Sequence, residues 1–104
     1  DLERRMARHH RDPAATFWGW NDVWLSGAFR SWDITDVLGA VTCPVLAIQG
    51  HDDQYGTLHQ LDLVERGVTG PVTRVHLDDC GHAPHLEQPD RTLRAMVDFL
   101  AQLP

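Results

Sequence analysis

The chain has 104 residues, a net charge of −6 at pH 7 and a hydrophobic content of 42 %, which fits one small globular domain with a modest core. All nine basic residues are arginines, and the acidic excess argues against nucleic acid as a main partner. No apolar run approaches the roughly 20 residues of a membrane span, no signal-peptide pattern opens the chain, and the two cysteines, Cys43 and Cys80, are too few for a disulfide framework. Free thiols, a cytoplasmic location and no membrane partner are expected from these features. The first residue is Asp1 rather than Met and the opening segment already reads as helical, so a natural N-terminal part is expected to precede it.

In chain order, residues 1–11 read as a polar helix end with Arg4, Arg5, Arg8 and Arg11 on a solvated face. Asp12 then suits an N-cap and Pro13 the first helical position, where its missing N–H costs nothing. Phe17, Trp20, Val23 and Trp24 recur at helical spacing, and Ser26-Gly27 ends the run. Three of the four tryptophans lie in this helix; its stripe is either core-facing or a lid over an apolar pocket. A short helix is expected over 33–40, capped by Asp33 or Thr35.

Residues 44–49 follow as a short apolar run bounded by Pro44 and Gly50, the pattern of a parallel strand covered on both faces. Thr57 is placed to cap a helix over 58–66, with Leu58, Leu61 and Val64 on one face and Gly67 as its stop. Residues 72–77 alternate as a second strand, and Pro89 opens a last helix whose buried stripe is predicted to be Leu93, Met96, Val97, Leu100 and Leu103. A helix between two strands implies a parallel pair. The fold class is therefore α/β, with two parallel strands at about 44–49 and 72–77 and flanking helices.

Reactive groups in open α/β sheets gather at the carboxyl ends of the strands. "GHDD" leaves the first strand there and "DDCGHAPH" leaves the second. Neighbouring strands lie about 4.8 Å apart, so an acidic loop and a histidine loop meet on one rim. An Asp beside a His accepts the Nδ1–H, fixes the tautomer and stabilises the imidazolium that forms when the ring takes a proton. Gly50 and Gly81 are expected to allow sharp turns just before the polar residues.

"CPVLAIQGHDDQYG" and "DCGHAPHLEQPDRTLRAMVDFL" resemble the last third of an α/β-hydrolase. The resemblance covers residue 35 onward; residues 1–32 correspond to the end of a helical lid region, and 33–104 to the C-terminal βαβα part of the domain. It implies Asp53 as the triad acid, after G-x-x-D, and His82 as the triad histidine, in a G-H loop followed by Glu87 and Pro89. The order acid-then-histidine agrees with the family's Ser…Asp…His order. Departing from the family, neither Ser26 nor Ser31 sits in a G-x-S-x-G elbow, so the nucleophile and the oxyanion hole are missing. The implied function is the C-terminal portion of a serine-type hydrolase of an ester or related carboxylic substrate, inactive alone. The Trp-rich helix hints at an apolar acyl or aromatic small-molecule substrate, and no cofactor motif is present.

Asp52 competes with Asp53 for the acid, and the offset from Gly50 favours Asp53. His51 is given no role, while His76 and His85 read as structural. Glu87 either caps the last helix or bonds backbone beside His82. Cys80 precedes His82 by two residues, a poor orientation for a nucleophile. The alternative chemistry is a divalent metal held by Cys80, His82 and His85 with Asp53 or His51, although C-x-H-x-x-H matches no common zinc spacing. A third reading is a non-catalytic module that associates with itself or with a missing N-terminal part, because a two-stranded sheet leaves open edges.

Overall fold

The structure, a computed structural model, describes residues 1–103 and divides into two compact units, Asp1–Asp33 and Ile34 onward. In the first unit Asp1 caps the short helix α1, Leu2–Met6, by accepting from the Arg4 amide at 3.2 Å. Helix α2, Pro13–Trp24, starts as the sequence dictates: the Asp12 carboxylate accepts from the Ala15 amide at 2.8 Å, and Pro13 occupies the first turn. It ends at Trp24, before Ser26-Gly27. Ser26 instead serves a following 3-10 turn over Ala28–Ser31, its hydroxyl accepting from the Phe29 amide at 3.2 Å and donating to the Val23 carbonyl at 2.8 Å. A core-facing stripe does not form within this unit. No residue of α2 is buried, and Trp20 is 70 % exposed. The rings instead pack on one another in a chain, Trp20–Trp24–Phe29–Trp32, at centroid separations of 5.4, 4.8 and 5.2 Å.

The second unit opens with a 3-10 helix, Thr35–Ala40, rather than the longer helix expected from residue 33; its N-cap position is Ile34. Strand β1, Val45–Gly50, and strand β2, Val72–Leu77, pair in parallel with Val45 opposite Val72 and Gly50 opposite Leu77. Helix α3, His59–Gly67, connects them. Leu61 is buried between half-buried Leu58 and Val64, the face the sequence predicts. Thr57 does not cap α3 by its side chain; the N-cap position is Leu58. Gly67 is not a left-handed stop either, since no glycine has a positive φ. It permits close approach: a Cβ there would sit 2.6 Å from Leu38 Cδ1 of the 3-10 helix. Arg74 of β2 donates to Asp62 at 2.7 Å and to Glu65 at 2.9 Å, tying the crossover helix to the strand. That pairing raises the Arg74 pKa, chiefly through Glu65, and lowers that of Asp62, chiefly through Arg74.

After β2 come a one-turn helix α4, Pro84–Glu87, and α5, Pro89–Ala101, whose start at Pro89 matches the sequence. The buried face of α5 does not match. Thr92 is buried and Ala95 and Phe99 are half-buried, whereas Leu93, Met96, Val97 and Leu100 are 47–61 % exposed and Leu103 is 37 % exposed. Periodicity identifies an apolar face but not what lies against it. Two strands are narrower than the stripe, and Met96 and Leu100 line with Leu46, Ile48 and Phe99 an open hollow of about 480 Å³. The buried core of this unit is correspondingly small: Leu61, Leu77 and Cys80, with the polar Gln49 and Thr92.

Candidate active site

The parallel ladder continues past both strand ends. The His51 amide donates to the Leu77 carbonyl at 2.8 Å and the Asp52 amide to the Cys80 carbonyl at 2.9 Å, so the two loops leave the sheet side by side. Gly50 makes this possible through its missing side chain, not through an unusual φ. A Cβ at that position would collide with the carbonyl oxygens of Gly81 and Cys80. Among the described residues the one in the left-handed region is Asp79, at φ 52°, where β2 turns into its loop. Asp tolerates this conformation better than most side chains.

Asp53 and His82 meet at this rim. Nδ1 of His82 lies 3.1 Å from Oδ1 and 3.2 Å from Oδ2 of Asp53. The carboxylate is 7 % exposed and the imidazole 60 % exposed. Oδ1 also accepts from the Tyr55 amide at 2.8 Å and the Gly56 amide at 3.1 Å, and Oδ2 from Nε2 of Gln49 at 3.1 Å. These donors bring the Asp53 pKa down to about 2, the Tyr55 amide most of all, against the opposing effect of burial. An anionic Asp53 accepts from Nδ1, which requires the proton on Nδ1 and leaves Nε2 as the ring's acceptor.

The histidine loop is held from behind. The Glu87 carboxylate accepts from the Gly81 amide at 2.7 Å and from the Ala83 amide at 2.9 Å, bracketing His82 on both sides. Of the two roles open to Glu87, this is the one the structure shows; the N-cap position of α5 is Gln88, without a side-chain capping bond. The two amides, Ala83 first, lower the Glu87 pKa. Gln88 donates to the Asp79 carbonyl at 2.9 Å, Arg91 to the Asp78 carbonyl at 3.0 Å, and Thr92 to the Pro84 carbonyl at 2.9 Å. The Tyr55 ring stands edge-on to His82 at a centroid distance of 5.0 Å. A hollow of about 240 Å³ opens beside the pair, lined by Ile48, Leu61 and Val64 among others.

Of the rival residues, Asp52 is exposed and His82 bonds Asp53 instead. Cys80 is 1 % exposed, and burial pushes its thiol pKa up, a poor setting for a nucleophile. Among the described residues no group of three or more His, Cys, Asp or Glu side chains is arranged to hold a metal ion, so the alternative ligand set is not brought together. Two contributors escaped the sequence reading, Gln49 and Tyr55. Gln49 carried a signal, as a polar residue near the carboxyl end of an otherwise apolar strand; Tyr55 carried none.

A βαβα unit delivering a carboxylate and an imidazole to one rim has the α/β arrangement of a piece of an α/β-hydrolase. Curated relatives agree at the level of the superfamily. The chain is 30 % identical over 82 residues to epoxide hydrolase A of Mycobacterium tuberculosis, a match covering 77 % of this chain and 26 % of that protein. It is 32 % identical over 63 residues to the monoacylglycerol lipase ABHD6 of Rattus norvegicus, covering 61 % of this chain and 18 % of the relative. Both relatives are α/β-hydrolase fold members, and the chain spans about a quarter or less of their lengths. No family model matches the chain, and no solved structure does. No helix among the described residues is long and apolar enough to cross a membrane.

Proposed function

We propose that this chain is the C-terminal part of a serine-type α/β-hydrolase acting on an ester or related carboxylic substrate. In this reading Asp53 is the triad acid and His82 the base. The observation that carries it is the His82 Nδ1–Asp53 carboxylate contact at 3.1–3.2 Å, at the carboxyl ends of two paired parallel strands. With Nδ1–H committed to Asp53, Nε2 takes the proton of a hydroxyl nucleophile as it attacks the carbonyl carbon. The imidazolium formed is stabilised by the adjacent anion and returns the proton to the leaving group. The nucleophile is a serine outside residues 1–104, since Ser26 and Ser31 lack the flanking glycines of an elbow.

Hydrolysis is the reaction class common to the relatives' names, epoxide hydrolase A and monoacylglycerol lipase ABHD6. The exposed Trp20 and Trp24 support a lid role for residues 1–32 and an apolar acyl or aromatic substrate. The open hollow beside Met96 and Leu100 supports dependence on further chain, or on self-association, to cover the sheet. The free thiols of Cys43 and Cys80 support a cytoplasmic address.

The test is a protein extended by the residues encoded upstream of Asp1, assayed on a panel of nitrophenyl esters and epoxides. His82→Ala is expected to lower turnover by roughly 10⁴-fold or more with the fold retained. Undiminished turnover overturns the assignment.

A further inference from the structure

Gln49 is 7 % exposed, on strand β1 one residue before its end, in a position that shape alone would fill with an apolar side chain. Its Nε2 donates at once to Asp53 Oδ2 at 3.1 Å and to the Gly56 carbonyl at 3.0 Å. One amide thus stitches both the reactive residue and the far end of the acid loop back onto the strand they leave. The amide orientation follows from its partners. A carboxylate and a carbonyl are both acceptors, so the NH₂ must face them. The consequence is an orphan: Oε1 is buried with no partner. Methionine would fill the same space without burying an unpaired oxygen, so the amide's cost is offset only by what its NH₂ does.

The two carboxylate oxygens are held differently. Oδ1 is fixed by the Tyr55 and Gly56 amides and faces His82 Nδ1 at 3.1 Å, whereas Oδ2 takes its bonds from Gln49 and, at 3.2 Å, from the same His82 nitrogen. Removing Gln49 leaves the backbone contacts to Oδ1 intact but leaves Oδ2 with the imidazole alone, so the carboxylate plane is no longer fixed against rotation under the ring. Gly56 is part of the same device. A Cβ there would lie 3.1 Å from Gln49 Nε2 and 2.5 Å from Gln60 Oε1, so a side chain at 56 would displace the amide.

We propose that Gln49 is a positioning residue for Asp53: a strand-borne amide that holds the carboxylate where it meets Nδ1 of His82. This deepens the hydrolase reading and takes the role of Asp53 from it. The other charged groups near the pair are Glu87, bound to the amides on either side of His82, and Asp52, the chain neighbour; neither donates to Asp53.

The experiment is NMR on the same extended protein, following the Asp53 carboxyl carbon through an acid titration and the Nδ1 proton of His82. In Gln49→Met the Asp53 midpoint is expected to rise from about 2 toward the ordinary 3.8, and in Gln49→Glu to rise further, with the His82 Nδ1 proton exchanging faster in both. Folded variants with the wild-type midpoint and an unchanged imidazole proton overturn the proposal. If both variants unfold, the wild type decides. Gln49 NH₂ protons protected from exchange and coupled to the Asp53 carboxyl carbon support it; exchange as fast as that of exposed Gln102 overturns it. Turnover is not the readout here. An active His82→Ala enzyme defeats the proposed function alone, and an unmoved Asp53 titration defeats the Gln49 role alone.

Discussion

The Asp53 carboxylate in the loop after β1 is fixed mostly by its neighbours in sequence, whereas the histidine loop after β2 is braced by the two helices that follow it. The amides and side chain that bind Asp53 lie two, three and four residues away from it. The bonds that fix residues 78–84 reach four to thirteen residues along the chain, to Glu87, Gln88, Arg91 and Thr92. The outcome differs in kind. The Asp53 carboxylate is nearly closed off from water, with its charge pinned; the His82 imidazole is more than half exposed. A carboxylate that must stay anionic is well served by a short closed turn. Under the proposed function, a base that must reach a substrate needs an open ring on a backbone braced from elsewhere.

The contact between the two loops depends on Gly50, and breaking it is expected to have the largest effect. Gly50→Ala places a methyl group against the Gly81 and Cys80 carbonyls, neither of which is a flexible side-chain end. A loss of about 3 kcal/mol in urea denaturation is expected. A variant as stable as wild type would show that the loops separate at no cost.

The acid loop is tested next, by pH. The folded Asp53 pKa of about 2 lies below the unfolded 3.8, so its contribution to stability is complete above about pH 4 and is lost as pH falls toward 2. Asp53→Asn removes this contribution. The stability gap between wild type and variant, read from thermal melts at pH 5, 4, 3 and 2, is expected to close across that window. A gap that stays constant with pH would mean that the carboxylate is not held as described. Glu87, whose pKa is also lowered, adds its own loss on the acid side in both proteins.

The histidine loop should respond least. Thr92→Val keeps the shape of a buried side chain while removing its bond to the Pro84 carbonyl, one of several braces on that loop. A loss of about 1 kcal/mol is expected, with the His82–Asp53 contact retained because Glu87 still brackets the loop. A shift in His82 imidazole resonances larger than in Gly50→Ala would reverse the ranking.

Much of the fold was legible in the residues. Pro44 and Gly50 bound an apolar run that becomes β1, the alternation of 72–77 becomes β2, and Pro89 starts α5. The parallel pairing follows from a helix between two strands, and it alone carries residues 29 positions apart to within hydrogen-bond distance. The glycines were legible as important but not in their means. A sharp turn was expected of Gly50 and a helix stop of Gly67, and close approach is what both allow, a relation to Gly81, Cys80 and Leu38 that no local pattern encodes.

Local chemistry, then, determined the elements and the two polar loops, because caps, prolines and hydrophobic period act within a few residues. Only the tertiary structure decided which faces are covered. It turned Thr92 rather than Leu93 or Met96 toward the interior, left the α2 tryptophans exposed within their unit, and made Arg74 of a strand the partner of Asp62 and Glu65 on the crossover helix. Burial and hydrogen-bond partnership are properties of what stands opposite a side chain. What stands opposite is set by the packing of distant segments, not by the sequence around it.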